Sequence, residues 1–215
     1  MSGRGFFITL EGGEGTGKST QIKLLADSLL RNNREVVITR EPGGTPEAES
    51  IRNLLVHRDG GRWTPVAETL LFFAARQMHI ENLIKPSLTQ GKIVISDRFT
   101  DSTRAYQSYG HGLEPDLIES LVQLSIGGFE PDLTFILDLD VSLGLARAGQ
   151  RLSQSETGED RFEQMDQAFH ERLRQGFLDI ARRYPDRCVV MDANRTIEAV
   201  AADISRIAQE RIAHV

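Results

Sequence analysis

The sequence predicts an α/β fold: a five-stranded, mostly parallel sheet with helices on both faces. Five short apolar, β-prone runs recur at residues 5–11, 35–40, 92–97, 133–139 and 187–192. Long helical patterns lie between them, and strands alternating with helices argue parallel pairing with both sheet faces covered. The first run leads into a glycine-rich loop that opens a helix. The chain has 215 residues, 40% hydrophobic and 26% charged, enough for one α/β domain with a real core. No repeat, linker or low-complexity block divides it, so the expectation is a single domain over residues 1–215.

Composition excludes several functions. The net charge is −6 and the pI near 5.4. Nucleic-acid or acidic-membrane binding needs a large basic surface and is disfavoured, while a small polyanion needs only a local positive pocket. The lone cysteine, Cys188, rules out a disulfide framework, and the five histidines show no metal-ligand spacing. No signal peptide or apolar run of membrane length is visible, and the chain reads as cytoplasmic.

The first strand, Phe6-Phe7-Ile8-Thr9-Leu10, precedes a loop at residues 12–20: Gly12, Gly13, Glu14, Gly15, Thr16, Gly17, Lys18, Ser19, Thr20. This is G-x-x-x-x-G-K-S, a phosphate-binding loop. Ile22, Leu24, Leu25, Leu29 and Leu30 follow at helical spacing, so strand and helix flank the motif as the mechanism requires. Glycines let backbone N–H groups converge on phosphate oxygens, and the helix N-terminus adds partial positive charge. Lys18 reaches the β- and γ-phosphates, and the Ser19 hydroxyl ligates Mg²⁺. ATP and Mg²⁺ are the ligands this loop implies.

The second strand ends in Arg40-Glu41-Pro42-Gly43-Gly44-Thr45. Open α/β sheets bind ligands outside the carboxyl ends of their strands, which turns this segment toward the phosphate loop. The third strand ends in Asp97-Arg98-Phe99. Asp97 at that edge holds Mg²⁺ through water or orients an arginine, and Arg98 clamps phosphate. Residues 68–85 read as a helix with Phe72 and Arg76 on one face. Phe72 and Phe73 point about 100° apart, so one is free to stack on a planar ligand while Arg76 binds its edge. Ser102, Thr103, Tyr106 and Gln107 form a second polar-aromatic cluster suited to a nucleobase. Residues 149–160 are polar, and a short lid over about 149–161 is expected. Beyond it Phe162, Phe169, Leu173, Phe177, Ile180 and Tyr184 read as one helix face.

In this order, Gly-Gly-Glu-Gly-Thr-Gly-Lys-Ser-Thr, Thr-Arg-Glu-Pro-Gly-Gly-Thr, Leu-Phe-Phe-Ala-Ala-Arg-Gln, Asp-Arg-Phe and Ser-Thr-Arg-Ala-Tyr-Gln resemble bacterial thymidylate kinases. The likeness runs from about residue 5 to the helix after the lid. It implies a three-layer P-loop kinase fold with a lid, transfer of the γ-phosphoryl group of ATP to dTMP on the way to dTTP, and a homodimer. It also implies roles. Phe72 stacks on thymine, and Arg76 binds its carbonyl edge. Ser102, Thr103 and Gln107 complete the base pocket, and Tyr106 favours deoxyribose. Arg40, Arg52 and Arg98 hold the acceptor phosphate, with Pro42 in the same site. Glu41 and Asp97 organise magnesium, water or arginines.

Glu14 is an acid inside an anion-binding loop, so something must offset it. Some members of the family place an arginine directly after this acid, where this chain has Gly15. In the bacterial type that the sequence resembles, the lid supplies it. Arg147, Arg151 and Arg161 flank the polar stretch, and Arg151 is the favoured residue. The rival readings are a deoxynucleoside kinase, a GTP switch and a silent nucleotide-binding regulator. No Asn-Lys-x-Asp guanine motif occurs, and Lys18, Ser19, Asp97 and Arg98 are all present.

Overall fold

A computed structural model describes residues 4–57, 61–152, 161–162 and 165–214, without the side chains of residues 151 and 152. Five strands form one parallel sheet in the order β2-β3-β1-β4-β5: β1 (Phe6–Glu11), β2 (Val36–Arg40), β3 (Ile93–Asp97), β4 (Leu133–Asp138) and β5 (Cys188–Asp192). Every expected strand is present, each within a residue or two of its expected bounds.

The inner strands are apolar throughout because both faces are covered. Ile8, Leu10, Ile95 and Phe135 point to one face, packing with α1 (Lys18–Arg31) and α9 (Ile197–Ile212). Phe7 and Val94 point to the other, where Ile80, Ile84 and Phe99 cover them. On that face Ile136 meets Phe169, Leu173, Phe177 and Ile180 of α8 (Gln167–Arg183).

Local chemistry sets the helix starts. In α2 (Pro46–Val56) and α3 (Pro65–His79), a threonine caps the N-terminus and a proline follows at the first turn. The helix expected over 68–85 continues past α3 as a π-helical segment, Ile80–Ile84, into α4 (Lys85–Thr89), where Pro86 has no N–H to donate. After β3 the chain forms α5 (Thr100–Thr103), a π-helical stretch Arg104–Gly110, and α6 (Pro115–Ile126).

Two expectations are corrected. The helix expected from Phe162 starts at Gln167, because Asp166 caps it by accepting from the Phe169 N–H at 2.7 Å. Phe162 therefore lies in the turn before α8, and Tyr184 closes that helix as its C-cap. The first four residues assigned to the lid are the last turn of α7 (Val141–Leu152). Residues 153–160 lie outside the described residues. No helix among the described residues is long and apolar enough to cross a membrane.

Candidate active site

Strand register brings the site together. Leu10 pairs with Asp97, and Asp97 pairs with Arg40, so three strand ends align at one edge. A cleft of about 600 Å³ opens there. Its floor is the phosphate loop from Glu14 through Gly15, Thr16, Gly17, Lys18, Ser19 and Thr20. Gly12 and Gly13 stand behind the loop, lining a small recess under it with Glu14.

Lys18 Nζ donates to Gly12 O at 3.0 Å and Gly13 O at 2.9 Å. Burial, then the neighbouring Arg98, bring its pKa down to about 8 against the pull of Glu14, Asp97 and Glu11. Ser19 Oγ donates to Asp97 Oδ2 at 3.1 Å. A hydroxyl and a carboxylate converging beside a phosphate loop are the hard oxygen donors that Mg²⁺ takes. No group of three or more His, Cys, Asp or Glu among the described residues gathers as a metal cage. Mg²⁺ is commonly held by one or two protein oxygens with substrate phosphates, and this pair fits that mode.

Arg98 stands at the centre. Its backbone is left-handed, with φ 71°. Its guanidinium donates to Glu14 Oε1 at 2.8 Å, and to Gly12 O and Ser102 Oγ at 3.2 Å each. It also lies over the Tyr106 ring, 5.0 Å from the centroid. Tyr106 OH donates to the same Glu14 oxygen at 2.6 Å. The charge of Glu14 is thus met from within the sheet edge, where the sequence pointed only to the lid. Gly15 explains why no arginine follows Glu14 here: its φ is 67°, and a Cβ would run into the Gly144 carbonyl.

The other wall holds the polar-aromatic cluster. Phe73 is buried in the core while Phe72 faces the cleft, which settles the ambiguity of the pair. Arg76 is buried. Its Nε donates to Glu41 Oε2 at 2.7 Å, and Nη2 to Thr103 Oγ1 at 2.9 Å and Phe99 O at 3.1 Å. Its Nη1 is buried without a partner. Glu41 is spent on Arg76 and on His79 Nδ1 at 3.0 Å, so its partner is an arginine. Pro42, Ser102, Thr103, Tyr106 and Gln107 line the same space.

Arg40 reaches the rim and pairs with Glu49 at 3.2 Å, and Arg52 Nη1 donates to Pro42 O at 2.8 Å. Arg147 lines the cleft from α7, with Ala193 O accepting from it at 3.5 Å. Arg151 shares that helix four residues on, and its side chain lies outside the described ones. Arg161 pairs with Glu68 at 2.5 Å and donates to Leu55 O at 2.9 Å.

The sequence and the fold match known proteins. A family model described as thymidylate kinase covers residues 10–204. The chain belongs to the thymidylate kinase family. The thymidylate kinase of Caulobacter vibrioides is 53% identical over 97% of this chain and 98% of that protein. That of Geobacter sulfurreducens is 46% identical over the same shares. Among solved structures, thymidylate kinase from Ehrlichia chaffeensis superposes with a TM-score of 0.74 at 40% identity, covering 96% of this chain and 99% of that one.

Three residues of this family site escaped the sequence reading. Glu11 is fully buried and accepts from the Phe99 N–H at 2.7 Å, the Ser102 N–H at 3.3 Å and Ser102 Oγ at 2.6 Å. It braces the turn that presents Arg98. Burial first, then the nearby Asp101, push its carboxyl up to about 7, against those hydrogen bonds and the charge of Arg98. The only signal for it was a charged residue ending an apolar strand. Phe162 packs against Phe72 and Tyr106, with ring centroids 6.3 and 5.4 Å away. Glu68 ties Arg161 to Gln107 and had no signal beyond being acidic in a helix's first turn.

Proposed function

We propose that this chain is a thymidylate kinase that moves the γ-phosphoryl group of ATP to the phosphate of dTMP, giving dTDP and ADP. The observation that carries the reading is the position of Arg98. One guanidinium touches the phosphate loop at Gly12 and Glu14 and the opposite wall at Ser102 and Tyr106. Donor and acceptor halves therefore share one cleft.

A phosphate monoester has a second pKa of about 6, so dTMP is largely dianionic at neutral pH and needs no general base. The task is to bring two anions together in line. The loop N–H groups and Lys18 hold the ATP phosphates, with Arg147 and Arg151 on the α7 side. Arg98, Arg40 and Arg52 hold the acceptor phosphate. Phe72 stacks on thymine, and the unspent Nη1 of Arg76 donates to a ring carbonyl. Ser102, Thr103 and Gln107 close the base pocket, and Tyr106 fills the space that a ribose 2′-hydroxyl would need. Bound at Ser19 and Asp97, Mg²⁺ supplies positive charge to the transferring phosphates.

We read the chain as one domain over 1–215 with a lid in the part of 149–161 that follows α7, working in the cytoplasm as a homodimer. Exposed Val66 and Leu70 on α3 and Leu117 and Leu124 on α6, two helices packed together, support self-association. Light scattering at twice the monomer mass is the expected result.

A coupled ADP-release assay across nucleoside monophosphates, with thymidine offered separately, tests the reaction. Turnover of dTMP above all others is expected. Turnover of thymidine without dTMP would make the chain a deoxynucleoside kinase instead.

A further inference from the structure

Glu68 is a carboxylate only 1% exposed, and the reaction proposed above gives it no task. From the first turn of α3 it gathers groups from two distant segments. Gln107 Nε2 donates to its Oε1 at 2.9 Å, and Arg161 Nη2 pairs with its Oε2 at 2.5 Å. His111 Nε2 stands 3.6 Å from Oε1. The Arg161 guanidinium lies over the Phe162 ring, 5.3 Å from its centroid, and that ring packs against Phe72 and Tyr106.

An ionised carboxylate only accepts hydrogen bonds. Gln107 must therefore offer it the NH₂ end of its amide. The amide is planar, so Oε1 is the polar atom left for the cleft that Gln107 lines. Thymine and uracil carry a proton on N3 and match an acceptor there. Cytosine has a bare N3, which would set two acceptors against each other. A site built around a hydrogen bond discriminates by leaving its own buried group unpaired against the wrong ligand. Arg76 adds an independent rejection, because its donors also oppose the 4-amino group of cytosine.

We propose that Glu68 is a specificity-determining positioning residue: it locks the Gln107 amide with its acceptor toward the base and, through Arg161, sets Phe162 into the base wall. The cleft then takes pyrimidines with a protonated N3 and turns cytosine away. This rests on reading the cleft as the dTMP site.

The test is steady-state kinetics of the full chain with dTMP, dUMP and dCMP for wild type, Glu68→Gln, Gln107→Met and the double variant. In Glu68→Gln the residue at 68 can accept or donate, so the register of the Gln107 amide is lost. The dTMP-to-dCMP ratio of kcat/KM should fall about tenfold or more, chiefly through a higher KM for dTMP, with kcat within about threefold. Gln107→Met should lose the same ratio, dUMP should follow dTMP, and the double variant should lose no more than Gln107→Met alone. A folded Glu68→Gln protein with the wild-type ratio would overturn the proposal, as would losses that multiply in the double variant. Should Glu68→Gln fail to fold, Gln107→Met decides alone, and its keeping the wild-type ratio would overturn the proposal. Wild-type protein inert toward dTMP would instead sink the dTMP reading itself.

Discussion

Glu14 and Arg98 meet at 2.8 Å across 84 residues of sequence. The acid in the phosphate loop is neutralised by the arginine proposed to hold the acceptor phosphate. Charge balance in the donor half is thereby tied to the position of the acceptor clamp.

Removing Arg98 should therefore damage turnover more than folding. Arg98→Ala is expected to lower kcat by about 10³–10⁵, the range for a transition-state arginine in phosphoryl transfer. Arg98→Lys should recover only part, since a point charge cannot serve Glu14, Gly12 O and Ser102 together. ADP release at saturating ATP and dTMP measures both. A loss under tenfold in Arg98→Ala would remove Arg98 from the reacting centre.

Phe72 presents a ring to the cleft, whereas Phe73 is buried. Base–aromatic stacking contributes about 1–3 kcal/mol, so Phe72→Ala should raise the KM for dTMP roughly 5- to 150-fold. Its kcat should stay within a few-fold, because stacking is the same in ground and transition states. Unchanged dTMP affinity by titration would reassign the ring to packing.

Much of this was legible because its signals are local. Strand 1, the phosphate loop and helix 1 are contiguous, and a parallel sheet marks its strands as unbroken apolar runs. Glu11 was not legible, because its partners Phe99 and Ser102 arrive from another strand end 88 and 91 residues away. Phe162 was misread for a different reason. It stands seven residues before Phe169, in step with the helix, and periodicity alone cannot show that the helix has not begun. Asp166 was the available corrective, since aspartate ahead of an apolar helical pattern is an N-cap signal.

The arginines flanking the polar stretch should separate by kinetics. Arg161 is engaged with Glu68 and Leu55 O, so Arg161→Ala should chiefly raise the KM for dTMP by loosening Phe162. Arg151→Ala should lower kcat by about 10³ or more and leave dTMP binding within a few-fold. The reverse pattern would assign the transferred phosphoryl group to Arg161.

Gly15 combines a φ of 67° with the Gly144 carbonyl in the path of any Cβ. Gly15→Ala should cost about 1–3 kcal/mol, lowering Tm by several degrees. The loop must shift to relieve the contact, so the KM for ATP should rise too. An unaltered Tm in scanning calorimetry would mean the loop accommodates a side chain freely.

The last expectation concerns pH. The Glu11 carboxyl is raised from its ordinary 4.5 to about 7, by burial first and Asp101 second. Between those values the folded protein holds a proton that the unfolded chain has released. The stability contributed by the neutral carboxyl is thus complete below about 4.5 and lost as pH rises through about 7. Glu11→Gln keeps an acceptor for the Phe99 and Ser102 N–H groups and offers its NH₂ to Ser102 Oγ, without a charge to bury. Its Tm relative to wild type should therefore climb from pH 5 to pH 8, by at least about 3 °C. Melting curves of both proteins across that range measure the difference. A gap that stays constant with pH would mean that Glu11 does not titrate there, and that the turn carrying Arg98 is braced by a carboxylate charged throughout.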